Sequence, residues 1–280
     1  MSSLTKYGLR FVSESSRFRM TVGFAALLAF AAPGPANAQD AKTILQTMMK
    51  TYRAMTSYQG RSSVDHREIL TNGRILINDS FGTILSYQKP NKLKLEFTMP
   101  SGGRTIYYDG AMLSYFQNRS QTYSMVPVKA AGLKELTDPL LRFQVGSKLD
   151  TLYFLAGKEF PSSVSGLKRL PDSTRNGRPV YVVSARETSQ MTKTPIVWTW
   201  MIDKETNLLA RVEGRISNVI RRAKVTGGKK SVTKDLHVDS VLAQNIFEAN
   251  PNARLDDKTF VFTAPSGSKR IGAELPGKGK

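Results

Sequence analysis

The chain has 280 residues, no cysteine and a formal net charge of +19, so neither disulfide staples nor a lipid-modified thiol can contribute to it. Its length suffices for one large domain, or two small ones, with a sizeable core. The charge excess favours anionic partners. In an exported chain these are membrane lipids, lipopolysaccharide or acidic cell-wall polymers rather than nucleic acid.

Residues 1–38 read as an export signal peptide. Lys6, Arg10, Arg17 and Arg19 supply the positive start, "TVGFAALLAF" the apolar run, and "ANA" before Gln39 a small-residue cleavage site. The apolar run falls short of the roughly 20 residues that a membrane span needs. The positive leader is unusually long, and translation could begin at Met20 instead of Met1. Cleavage after Ala38 removes those four basic residues and one acidic one, Glu14, leaving residues 39–280 with a charge of +16. The product is expected to be a soluble periplasmic protein.

The mature chain opens with Asp40 as a predicted N-cap, followed by Ile44, Leu45, Met48, Met49, Tyr52 and Met55 at helical spacing. After "SYQG" the pattern turns to period two. "SSVDHREIL" and "ILINDSFGTILSYQ" flank Asn72-Gly73, a strong hairpin signal. In "NKLKLEFTM" the apolar Leu93, Leu95, Phe97 and Met99 alternate with Lys92, Lys94, Glu96 and Thr98. "RTIYYDGAMLSYF" predicts two strands around Asp109-Gly110, and "QTYSMVPV" another. Residues 131–160 abandon alternation; their leucines predict short helices broken near Pro139 and Gly146. Strands are expected again at "RPVYVVSARE", "PIVWTWMID", "LLARVEGRIS", "RRAKVTG", "KSVTKDLHVDSVL" and "TFVFTAPSG".

In an extended strand residues two apart share a face, so Ile196, Trp198, Trp200 and Ile202 form one large apolar surface. The segment 221–234 carries six basic residues and no acid. It is either a solvated hairpin tip around Gly227-Gly228 or a contact for an anionic surface through Arg221, Arg222, Lys224, Lys229 and Lys230.

No motif carries covalent chemistry. His66 and His237 stand far apart, and although His237 and Asp239 could share a strand face, no cluster supplies the remaining ligands of a metal site. S-x-x-K occurs three times, at Ser165/Lys168, Ser231/Lys234 and Ser266/Lys269, without its companion motifs. The tail "GAELPGKGK" approaches a phosphate loop, but Gly279 stands where a magnesium-binding Ser/Thr would be needed. Asp256-Asp257 read as turn residues. The expectation is a protein with no catalytic residues, no metal and no cofactor.

The order of these elements resembles the periplasmic lipoprotein carrier and localisation-factor superfamily, the LolA/LolB-like fold, and more closely a family of predicted periplasmic proteins sharing that fold. The resemblance covers about residues 40–270 and rests on "QKPNKLKLEF", "TIYYDGAMLSYF", "WTWMIDKETNLLARVE" and "LDDKTFVFTAPSG". It implies a mainly β (α+β) single domain over residues 39–270, followed by a disordered basic tail, 271–280. The fold would be a curved antiparallel sheet of about eleven strands forming an open, unclosed β-barrel, with an N-terminal helix and a mid-chain helical lid over the concave face. In the classical carriers an arginine near the second strand gates the cavity, and Arg61 and Arg67 fall in the comparable region. The function implied is a soluble, monomeric carrier or sensor of a lipid or lipoprotein acyl chain, walled by Leu93, Leu95, Phe97, Ile196, Trp198 and Trp200. The other reading left open is a structural or regulatory envelope protein with a solid core, binding another protein through a sheet edge or the basic hairpin.

Overall fold

The computed structural model describes residues 35–100, 102–136, 151–160, 162–188, 194–227 and 230–272, all within one unit, Pro33–Lys280. Helix α1, Pro35–Ala54, leads into an antiparallel run: β1 Ser57–Leu70, β2 Ile75–Gln88, β3 Lys92–Thr98, β4 Arg104–Tyr108, β5 Met112–Gln117 and β6 Thr122–Pro127. Residues 133–136 are helical, and α2 spans Thr151–Leu155. The chain returns to the sheet as β7 Val164–Arg175, β8 Arg178–Thr188, β9 Pro195–Asp203, β10 Leu209–Gly227 and β11 Lys230–Pro251, then ends in a 3-10 turn, Asp257–Phe260, and β12, Lys269–Arg270.

These strands form a curved, unclosed twelve-stranded sheet in the order β12-β6-β5-β4-β3-β2-β1-β11-β10-β9-β8-β7. The closure between the two halves is long-range: β11 lies between β1 and β10, so the last long strand joins the first hairpin to the second set of strands. Every neighbouring pair is antiparallel except β12 with β6. The turns follow the residues expected of them. Gly73 and Gly110 take positive φ, and the Asp109 carboxylate accepts the amides of Ala111 and Met112, an Asx turn that starts β5.

One face of the sheet packs beneath α1 and α2. The core joins Leu45, Met48 and Tyr52 of α1 and Phe154 of α2 to Leu93, Ile106, Trp200 and Val212 on the strands. The helical spacing predicted for 44–55 is what lets α1 bury Leu45, Met48 and Tyr52 on one side.

Several boundaries differ from the sequence expectation. Helix α1 begins five residues before Asp40, whose carboxylate pairs with Arg169 of β7 instead of capping the helix. The expected cleavage point after Ala38 therefore lies within the first turns of α1. "LLARVEGRIS" and "RRAKVTG" are one strand, β10, with an irregular register between Ile216 and Val219. Strand β11 continues beyond "VL" through "AQNIFEANP". Strand β7 had no expected counterpart: Gly166, Pro171 and two register shifts against β8 break its alternation.

The closing strand expected at "TFVFTAPSG" is absent. Asp256 caps the 3-10 turn by accepting the Lys258 amide, and Phe262 sits among Tyr107, Phe116 and Tyr123, with ring centroids 5.3–5.9 Å away. Those rings alternate with the core-facing Ile106, Tyr108 and Tyr115, so the segment crosses the outer face of β4–β6. Seating Phe262 there wins over strand pairing. Within the mid-chain stretch 131–160, residues 133–136 and α2 are helical, while Pro139 and Gly146 lie outside the described residues.

Candidate functional site

The register decides which side chains share the concave face, because residues directly opposite across a ladder point the same way. Trp200 pairs with Val212, Val212 with Gln244, Gln244 with Val64 and Val64 with Phe81. Two residues along β1, Ser62 pairs with Thr83, Thr83 with Phe97 and Phe97 with Arg104. All six residues expected to wall a cavity, Leu93, Leu95, Phe97, Ile196, Trp198 and Trp200, therefore lie on one face. The core cluster holds five of them, and Ile196 packs against it.

Across β1–β5 that face is built in three rows. Tyr58, Tyr87, Leu93, Tyr108 and Leu113 form the first; Gly60, Leu85, Leu95, Ile106 and Tyr115 the second; Ser62, Thr83, Phe97, Arg104 and Gln117 the third. The first lies nearest α1, where Tyr52 approaches Tyr58 at 6.2 Å. Burial raises the Tyr58 phenol well above its usual value and pushes Tyr87 up to about 12, so both rings stay neutral. Their hydroxyls are donors, as at Tyr87, which reaches the Pro90 carbonyl at 3.4 Å.

The tryptophans sit under aromatic cover. Trp198 and Trp200 stack at 6.2 Å with planes 20° apart. Phe160 meets Trp200 edge-on at 5.3 Å, Phe154 lies against Phe160, and Tyr52 stacks on Phe154. The Tyr52 hydroxyl also accepts the Leu209 amide at 3.2 Å, tying α1 to the start of β10. Gly214 leaves room for the Trp198 ring; a Cβ there would stand 2.7 Å from Cζ3. The Trp198 indole donates to Glu187 at 2.9 Å, and Ser163 donates to the same carboxylate at 3.0 Å. Trp200 is fully buried, yet its Nε1 has no acceptor among the described residues. Such an orphaned donor is costly in a dry interior.

Of the arginines compared with a gating position, Arg61 is exposed and ion-paired with Glu248 at 3.6 Å. Arg67 is exposed and points away from the core, as its alternation with His66 and Glu68 dictates. Arg104 does face the concave side, 4.5 Å over the Phe97 ring. Sequence reasoning missed it, although its position two residues before Ile106 and four before Tyr108 placed it on the apolar side of β4. Glu187, Phe154 and Phe160 were missed as well, the two phenylalanines because they lie where alternation is lost.

The basic hairpin forms the far end of β10 and β11, with Gly227 opposite Lys230. Residue Lys229 and the side chains of 218–236 lie outside the described residues, so the expected anion contacts of Arg221, Arg222, Lys224 and Lys230 have only a backbone placement. A cavity of about 340 Å³ lies elsewhere, between the β7–β8 turn at Arg175–Arg178, the β9–β10 turn and residues 246–250 of β11. Among the described residues no three His, Asp or Glu side chains cluster as metal ligands, and no helix is long and apolar enough to cross a membrane.

The half of the sheet holding the three rows also carries a family signature. Residues 41–154 match the family described as "Predicted periplasmic protein (DUF2092)". Comparison with curated proteins finds no match. Among solved structures it is similar to the lipoprotein LppX of Mycobacterium tuberculosis at 11% identity, covering 78% of this chain and 99% of that one, with a TM-score of 0.41. A LolA superfamily protein from Nitrosomonas europaea matches at 12% identity over 79% and 97% of the two chains, with a TM-score of 0.33. A putative outer membrane lipoprotein-sorting protein domain from Vibrio parahaemolyticus matches at 13% identity over 80% and 97%, with a TM-score of 0.30.

Proposed function

We propose that this protein is a periplasmic carrier or sensor of a lipid or lipoprotein acyl chain, held against the concave face and released without covalent chemistry. The observation that carries this reading is the nature of the cover over the tryptophan wall. Among the described residues it includes α1, the five-residue helix α2 and Phe160, and no second sheet. Moving α2 and Phe160 aside would open Trp198, Trp200, Ile196 and the row of Leu93, Leu95 and Phe97 to one apolar chain. Each methylene transferred from water contributes about 0.8 kcal/mol, so a long acyl chain could supply on the order of 10 kcal/mol before ordering costs. The orphaned Trp200 indole supports an interior that is not finally packed.

The basic ends of β10 and β11, with Arg221, Arg222, Lys224, Lys229 and Lys230, would steer the loaded carrier to an anionic leaflet, which makes encounter salt-dependent. A fluorescent fatty-acid probe tests the central claim. Saturable binding that quenches or shifts tryptophan emission is expected. If the folded protein gives no saturable signal, the concavity is a solid core and the carrier is replaced by an envelope protein that binds another protein.

A further inference from the structure

The three rows of the concave face differ in polarity, and the difference runs one way. The first two are apolar apart from phenol hydroxyls, and the hydroxyl of Tyr108 is already bonded to the carbonyls of Gly110 and Val128 at 3.0 and 2.8 Å. The third row is polar at nearly every position, with Phe97 as its apolar member. Ser62 and Thr83 hydrogen-bond to each other across β1 and β2, and Gln244 donates to Ser62 at 3.0 Å. Gln244 Oε1 is buried with no partner among the described residues.

Arg104 stands in this row between Phe97 and Gln117. Its Nε is likewise buried with no hydrogen-bond partner among the described residues, and its recorded partner is the face of Phe97. Among the other strand arginines, Arg169 has Asp40 and Asp172, Arg211 has Glu213, and Arg175 reaches Asn245 through Nη2 although its own Nε is unpaired among the described residues. A guanidinium held over an aromatic face makes no hydrogen bond to that face, so its N–H fork stays available to a planar or tetrahedral oxyanion.

From this placement we infer that Arg104 is the headgroup contact of the concave face, and that the ligand is an amphiphile bearing one anionic group, a carboxylate or a phosphate. The acyl chain lies along Leu95 and Leu93 towards α1, and the charged end stops at Arg104, beyond Phe97. The inference rests on the carrier reading above, since it assigns the head of a ligand whose tail that reading places. It adds what that reading leaves open, the chemistry that separates one lipid from another. Apolar wall residues bind any acyl chain of the right length. A half-buried guanidinium with no counter-ion among the described residues discriminates, because a neutral head leaves it unpaired while an anionic head satisfies it.

Three pyrene-labelled probes with the same dodecyl tail separate the two claims: the carboxylate, the phosphate monoester and the neutral alcohol, titrated at pH 8 into the wild-type chain, Arg104→Met and Arg104→Lys. The expected result is saturable binding of all three to the wild type, with one or both anions about tenfold tighter than the alcohol. Arg104→Met should erase that preference while leaving alcohol affinity within about twofold, and Arg104→Lys should keep part of it. Whichever anion shows the larger loss names the headgroup class, a fatty carboxylate or a lipid phosphate. Equal affinity of all three probes for the wild type, or a preference that survives Arg104→Met, overturns the headgroup assignment and leaves the carrier intact. Absence of binding by every probe overturns both. Far-UV circular dichroism confirms that each variant is folded, and the Lys variant supplies the comparison if Arg104→Met is not.

Discussion

Trp200 is where packing and function compete most directly. Its ring is fully buried between Trp198 and Phe160, and its indole N–H has no acceptor among the described residues. Trp200→Ala in a close-packed core should cost about 3 to 5 kcal/mol. At a wall that opens to ligand, the stability loss should be smaller and the weakening of probe binding larger. Denaturant titration and probe binding on the same samples separate the two; a full-sized stability loss with unchanged affinity in the folded fraction would remove Trp200 from the site. Gly214 provides the converse test. A Cβ added there meets the Trp198 ring within van der Waals contact, so Gly214→Val should overpack the core and destabilise by about 1 to 3 kcal/mol. Its readout is the denaturation midpoint, and a variant as stable as the wild type would mean that Trp198 can swing away without cost.

Helix α1 is held at its two ends by different forces. Near its C-terminal end Tyr52 packs on Tyr58 and Phe154 and accepts the Leu209 amide. Towards its N-terminus Asp40 meets Arg169, which also pairs with Asp172 at 3.0 Å, while Lys204 reaches Asp172 at 2.5 Å. The Lys204 hydrogen bond, the largest influence, holds the Asp172 carboxyl below its usual value; burial opposes it, and the hydrogen bond and charge of Arg169 reinforce it. A depressed carboxylate stabilises the fold above its unfolded pKa and loses that contribution as pH falls through the folded value. The network should therefore loosen below about pH 4, and Asp172→Asn should flatten the fall in thermal stability measured there. If the variant and the wild type lose stability in parallel below pH 4, the network does not hold α1.

The hydrophobic side of this packing was legible beforehand. Period two marked Leu93, Leu95 and Phe97, and helical spacing marked Leu45, Met48 and Tyr52. The partners of Asp40 were not legible, because Arg169 lies 129 residues away on a strand whose proline and bulges hide its alternation. Capping is a local signal, and a distant ion pair overrode it. The proposed polar end was half legible: strand alternation put Arg104 on the apolar side of β4, but that no carboxylate among the described residues pairs with it emerges only once the strands are paired.

An open sheet has two outer edges, and each invites another chain to pair with it. Strand β7 is an outer edge, broken by two register shifts, Gly166 at positive φ and Pro171. Those features deny a flat template to a newcomer. Strand β6 has no such breaks, and its protection comes from the C-terminal segment. Lys269 and Ile271 donate to the carbonyls of Gln121 and Tyr123 at 2.9 and 2.8 Å, while Phe262 anchors the approach to them in its aromatic pocket. The strap also reaches β3, through Lys92 and Asp257 at 2.7 Å. Removing residues 255–280 should therefore uncover a regular six-residue edge together with three outward-facing aromatic rings, and the shortened chain should self-associate more than the full chain does. Phe262→Ala should produce a weaker form of the same effect, costing about 1 to 2 kcal/mol because the ring is only half-buried, with β12 still able to cover the edge. Analytical ultracentrifugation over a concentration series, alongside thermal melts, distinguishes edge exposure from simple destabilisation. Association that appears in the truncated chain at temperatures well below its melting point marks the uncovered β6 edge, whereas association that tracks unfolding in both variants would mean that the strap stabilises the sheet without guarding it.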